Sequence, residues 1–224
     1  MLKKIGLVTF ADAITKGIGY LLLPIYLGLM TQREFGEFSF IFIIISPLSI
    51  LIGLSLYVPF IRNFCSHKSS HATRKELVST VFNSLFIWLI IIDVLFLLAK
   101  PLLINAYISF FNVQDFADEK YYLIFLLINT GAVLLYCYSL LMSRNNSQEI
   151  VVFMLVKFLF VSVISLASMY FNLLGHESVL NRLFGILIAE LVVALAHIFI
   201  YVRPYVSLKI NLSVLRGQFK IALP

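Results

Sequence analysis

Six stretches of this chain, at about residues 5–29, 37–61, 78–99, 121–142, 150–172 and 181–202, stay mostly apolar for more than twenty residues each. A helix rises about 1.5 Å per residue, so roughly 20 residues cross the ~30 Å hydrocarbon core of a bilayer. No water reaches the backbone there. Peptide groups must pair internally, which leaves helices or closed barrels. Barrel strands show alternating segments of about ten residues, whereas these runs are twice that length and apolar on both parities. The chain is therefore predicted to be all-α: a polytopic membrane bundle of about six transmembrane helices, forming one domain over residues 1–224.

Composition excludes the soluble alternatives. Only 12% of residues are charged and 61% are hydrophobic, with mean hydropathy +1.00. A soluble domain carries about 25% charged residues, so this chain has too little polar surface to cover a core. The net charge of +6 does not point to nucleic acid, because the charges sit between apolar runs and form no single surface. The two cysteines, Cys65 and Cys137, form no CxxC pattern, and a disulfide framework is not expected. His67 and His71 lie four apart in a basic loop without acidic or cysteine partners, which reads as a solvated loop and not a metal site. Phosphate loops, HExxH motifs and nucleophile elbows are missing from the sequence. No catalytic residue, metal or cofactor is expected.

The N-terminus opens Met1-Leu-Lys-Lys, as a secretory signal can. The run behind it is too long, carries Asp12 and Lys16 and has no small-residue cleavage site, so it reads as a retained first membrane helix. Two connections are long. Residues 62–77 are polar and basic. Residues 100–120 start apolar, either extending the third helix or lying in the interface, and end in an acidic stretch from Asp115 to Glu119. The N-terminus, second and fourth loops and C-terminal tail hold 11 Lys and Arg, against 4 in the other loops. That bias predicts both termini in the cytoplasm.

Five ionisable residues fall inside the runs: Asp12, Lys16, Asp93, Lys157 and Glu190. Each costs about 2.5–3.5 kcal/mol at a helix centre, so such residues face protein or water. Asp12 and Lys16 are four apart and share a face. They read equally as a local ion pair or as cavity-lining groups, with Lys16 meeting an anion while Asp12 holds its side chain. Lys157 either snorkels to the interface or faces inward along the stripe of Ser165 and Ser168. Glu190 shares its face with Ala194, His197 and Tyr201. That stripe is either an interhelical hydrogen-bond network or a substrate or proton site. Asp93 has no evident partner. Ala13-xxx-Gly17, Thr15-xxx-Gly19 and Ser49-xxx-Gly53 permit close helix packing, and Pro24, Pro47 and Pro59 kink or end helical turns.

The first 62 residues resemble the start of the Wzx-type polysaccharide flippases, within the multidrug/oligosaccharidyl-lipid/polysaccharide exporter superfamily. The likeness rests on the first helix ending in Leu22-Leu-Pro-Ile-Tyr-Leu-Gly-Leu-Met30 and on the loop Thr31-Gln-Arg-Glu-Phe-Gly-Glu-Phe-Ser39. It continues with Gly53-Leu-Ser-Leu followed by Arg62, and with Leu141-Met-Ser-Arg-Asn-Asn146 at the cytoplasmic end of the fourth helix. Phe35-Gly36 and Arg62 are its more specific parts. The resemblance implies two lobes of six helices, of which this chain is the N-terminal one; the tail Arg216-Gly-Gln-Phe-Lys-Ile-Ala-Leu-Pro224 then reads as the approach to a seventh helix.

The resemblance further implies a flippase of the cytoplasmic (inner) membrane that moves undecaprenyl-diphosphate-linked oligosaccharide between leaflets for surface polysaccharide or O-antigen synthesis. Membrane lipid and other polysaccharide-assembly proteins are the implied further partners. A diphosphate calls for inward-facing cations. Lys16, Lys157, Arg62 and Arg144 are the candidates, and Asp12 and Glu190 the structural or ion-coupling carboxylates. Arg62 and Arg144 read equally well as positive-inside anchors. The alternatives are a drug/cation antiporter of the same superfamily, a membrane enzyme of polysaccharide assembly and a non-transporting scaffold.

Overall fold

The structure, a computed structural model, describes residues 2–53, 57–65, 71–111, 118–175, 177–207 and 210–222. The chain is an all-helical membrane bundle, with no strand among these residues. Its helices are α1 (Leu2–Leu29), α2 (Gln32–Ile52), α3 (Tyr57–Phe64), α4 (His71–Phe111), α5 (Asp118–Ser143), α6 (Ser147–Tyr170), α7 (Ser178–His197) and α8 (Leu212–Ala222). A π-helical turn, Ile198–Val202, and a 3-10 turn, Arg203–Tyr205, prolong α7. Six of the helices are long and apolar enough to cross a membrane: α1, α2, α4, α5, α6 and α7 with its two turns.

The bounds correct the sequence reading in three places. The expected loop from Thr31 to Ser39 is almost all helix. Thr31 caps α2: its hydroxyl accepts from the Glu34 N–H, and the Glu34 carboxylate accepts from the Thr31 N–H at 2.7 Å. This reciprocal box satisfies two orphan donors and puts Phe35-Gly36 in the first turn of α2. Second, the expected span 37–61 is broken. α2 stops at Ile52, whose terminal carbonyl accepts from Trp88 Nε1 at 2.9 Å. The chain re-enters helix at Tyr57, with Pro59 in the first turn of α3, where a continuous helix would need the N–H that proline lacks. Third, the span expected at 78–99 is part of a 41-residue helix. Its length is about 60 Å, so the apolar stretch after Lys100 does extend it. His67, Lys68, Asp115 and Lys209 lie outside the described residues.

Side-chain bonds fix α4 on α5. Tyr136 donates to the Val78 carbonyl at 2.9 Å, Asn129 to Asp93 at 2.6 Å and Tyr121 to the Phe96 carbonyl at 2.6 Å. Lys100 reaches Asp118 at 2.6 Å, at the first turn of α5. The helices are antiparallel, and α4 continues past the start of α5. The Asn129 bond also supplies the partner that Asp93 lacked in the sequence.

The core centres on α5, 67% of whose central membrane window is buried, against 6% for α1. α7 packs on α5, α6 on α7 and α1 on α6, while α1 barely touches α2. Six crossings bring both termini to one end, called here the terminal end. α8 docks there through Asn211, whose N–H donates to Thr80 Oγ1 and whose amide donates to Glu76. The opposite, distal end carries the α1–α2 turn, the start of α5 and the α6–α7 turn.

α6 and α7 meet backbone to backbone at Gly185. A Cβ there would sit 2.6 Å from Ser165 Cα and 2.9 Å from the Ile164 carbonyl. Neither neighbour is a side chain that can swing away, so Gly185→Ala must push the helices apart. Overpacking of this kind costs about 1–3 kcal/mol. The expected result is a Gly185→Ala protein with lower thermal stability in detergent, measured by thiol-reactive dye at buried Cys137. Gly36→Ala, with nothing within 4 Å of the added carbon, should leave stability unchanged.

Candidate functional site

α6 and α7 run antiparallel in a register set by Gly185. Moving toward the terminal end, that register brings Lys157 opposite Glu190, Phe153 opposite His197, and the start of α6 opposite Tyr201. Lys157 Nζ lies 2.8 Å from Glu190 Oε1. The Glu190 side chain is 10% exposed and that of Lys157 is 35% exposed. The His197 ring meets Phe153 edge-on at 4.3 Å and Tyr201 at 5.2 Å. The polar face expected around Glu190 is therefore an interhelical contact, and Lys157 turns inward along it.

The ion pair lines an open-sided cavity of about 430 Å³ between α1, α2, α5, α6 and α7. Its wall includes Thr15, Phe42, Tyr138 and Phe158 besides Phe153, and is otherwise mainly aliphatic. Thr15 and Phe42 stand near the middles of α1 and α2, and the α5 and α6 walls run mostly from there toward the terminal end, so the cavity spans the middle of the bundle and its terminal side. The only ionised groups on its wall are Lys157 and Glu190, among the described residues. Each makes the other tolerable: a bare carboxylate or ammonium in so apolar a wall would lose several kcal/mol of hydration.

Asp12 and Lys16 form the local ion pair, 2.6 Å apart, with side chains 43% and 70% exposed. Thr15 lies between them in sequence and donates to the Asp12 carbonyl at 2.9 Å. Because Thr15 lines the cavity while Lys16 is exposed, the pair flanks the cavity and does not fill it. Arg62 and Arg144 lie elsewhere. Arg62 is exposed on α3. Arg144, just past α5, pairs with Glu149 at 3.4 Å and stacks on Tyr201 at 5.1 Å. The structure thus brings Lys157, Glu190 and the flanking Asp12–Lys16 pair into one region, and leaves Arg62 and Arg144 out of the cavity.

The sequence reading overlooked Lys120 and Arg182, counting both as loop charges. Lys120 is buried in the first turn of α5 and pairs with Glu37 of α2 at 2.7 Å and with Glu177, the residue before α7. Arg182 on α7 lies 3.7 Å from the ring centroids of both Tyr26 and Phe38. Their signal was slight: Lys120 adjoins one apolar run and Arg182 stands at the start of another, where a cation can reach the interface and reads as solvated.

No family model matches the chain, and neither a curated protein nor a solved structure matches it at a significant level.

Glu190 is the more buried partner, so removing its cation is the harsher change. Lys157→Met should destabilise the protein by more than Glu190→Gln does. The double variant should regain part of the loss, with a coupling of about 0.5–3 kcal/mol typical of contacting residues. Detergent melts of the four proteins measure this cycle. Additive losses would mean that the 2.8 Å contact carries no energy.

Proposed function

We propose that this chain is the N-terminal lobe of a membrane transporter that flips a lipid-diphosphate-linked oligosaccharide across the cytoplasmic membrane for surface polysaccharide synthesis. One observation carries the reading: a cation, Lys157, faces a cavity inside a bundle of six membrane-spanning helices and is held there by Glu190. A diphosphate needs such a cation and a site shielded from hydrocarbon. At about 430 Å³ the cavity falls in the range of roughly 300–1,000 Å³ usual for small-molecule sites. It suits the diphosphate end of the substrate, leaving the sugars to a facing lobe. The likeness of the first 62 residues to Wzx-type flippases supports the same reading, as does a charge bias of the kind expected when both termini are cytoplasmic.

Lys157 is the substrate-contacting residue in this reading, with Glu190 its resting counter-ion. The incoming diphosphate competes with Glu190 for the ammonium. Lys16 is the outer cation, exposed at the cavity's flank and steadied by Asp12. Arg62 and Arg144 act as anchors at the cytoplasmic interface. A cation antiporter fits less well, because the cavity's own carboxylate already has a cation 2.8 Å away.

Deletion of the gene should abolish surface polysaccharide and accumulate lipid-linked repeat units. Lys157→Arg should restore export, whereas Lys157→Ala should leave it at least about tenfold lower at equal membrane abundance. Lys16→Ala should give a smaller loss. Normal export from the Lys157→Ala protein would end this assignment.

A further inference from the structure

The distal end of the bundle carries two clusters of charge that tie helices together, one of them bridging α1 and α2, which otherwise touch little. Lys120 is a single cation between two carboxylates, Glu37 at the start of α2 and Glu177 just before α7. It thus ties α5, α2 and α7 at one point while only 8% exposed. Arg182 makes a second tie. Its guanidinium is held between Tyr26 of α1 and Phe38 of α2, both buried, and it bridges two helices with almost no contact of their own. Arg182 has no carboxylate partner among the described residues. Its Nε is buried without a hydrogen bond, and one terminal nitrogen reaches only the Met30 sulfur, at 3.5 Å. A third bond, from the Ser178 hydroxyl to the Leu29 carbonyl at 3.1 Å, joins α7 to the end of α1.

These ties are poor choices for holding helices together permanently. Well-packed apolar side chains would hold the same elements as firmly or more so, because a buried ion must give up its hydration. An arginine stays charged in any environment. What ions and cation–π contacts offer instead is release: water entering from the distal end rehydrates Lys120, Glu37, Glu177 and Arg182 and offsets much of the lost contact. Arg182 lies eight residues before Glu190 on α7, about 12 Å along the helix. The ties therefore lie on the distal side of the cavity that Lys157 and Glu190 line.

We propose that Lys120 with Glu37 and Glu177, together with Arg182 between Tyr26 and Phe38, forms a releasable gate closing the distal end of the cavity. The proposal rests on the transporter reading, because a gate presupposes passage. Removing Lys120 leaves two carboxylates facing each other, so its loss should open the gate and not merely loosen it.

The test uses the full protein in membrane vesicles of both orientations. Cys65→Ser and Cys137→Ala remove the native thiols, and Phe158→Cys reports from the cavity wall. A membrane-impermeant maleimide should label the parent from the terminal side only. Lys120→Met and Lys120→Glu should raise labelling from the distal side at least tenfold. Lys120→Arg should stay closed, and the charge exchange Lys120→Glu with Glu37→Lys should close the distal side again. A gate is overturned if Lys120→Met and Arg182→Met label as the parent does at parental abundance. It is equally overturned if both vanish from the membrane, for the cluster is then a structural pin. Labelling needs no substrate, so it separates failure of the gate from failure of the transport assignment, which polysaccharide export reads.

Discussion

The contact of α6 with α7 at Gly185 sets the rest of the structure. Only a residue without a side chain lets the α7 backbone come this close to Ile164 and Ser165. Small-residue contacts of this type are how helices associate in lipid, where no hydrophobic force separates protein from solvent. Everything along the seam follows in register. Lys157 meets Glu190, Phe153 meets His197, and Arg144 reaches both Glu149 and Tyr201. Beside the seam, Ser165 shares a 3.0 Å hydrogen bond with Tyr26, which ties α1 to α6. The cavity forms where α1, α6 and α7 are fixed this way while α2 follows α5.

Within this frame, the cost of charge in hydrocarbon decides how each ion is used. Asp93 takes a hydrogen bond from Asn129, Lys100 pairs with Asp118, and Lys120 is satisfied twice. These arrangements make the ions tolerable without making them a source of stability, since a buried pair roughly breaks even against an apolar replacement. A chain selected for packing alone would carry leucine or methionine at Lys157, Glu190, Lys120 and Arg182. These four stand at the cavity and at the distal end of the bundle, where the proposed transport function would have use for them.

The helices were legible because hydrocarbon imposes a length and an all-helical backbone on any chain that crosses it. The local Asp12–Lys16 pair was legible too, because a four-residue spacing puts both groups on one face. Lys157 and Glu190 were both legible as candidates, but as separate charges with no sign that they pair. Their meeting depends on the antiparallel register of α6 and α7, which Gly185 sets and no local pattern reveals. Lys120 and Arg182 were hidden for a different reason. Counting loop charges to assign sidedness treats them as solvated, yet Lys120 is buried and Arg182 lies between aromatic rings. The stop of α2 at Ile52 was hidden because the sequence stays apolar beyond it; the carbonyl there is taken by Trp88, 36 residues away.

α1 gives the asymmetry of the bundle its meaning. Only 6% of its membrane window is buried, and its exposed surface carries Lys16. Hydrocarbon is a poor neighbour for that ammonium even with Asp12 beside it. The face of α1 bearing the pair therefore belongs against water or protein, while the leucines and isoleucines on its other flank suit lipid. A cavity whose flank is an exposed ion pair is a site with one wall open. In the proposed single-lobe reading, a facing set of helices would supply the second wall and the charges of α1 would lie between the two.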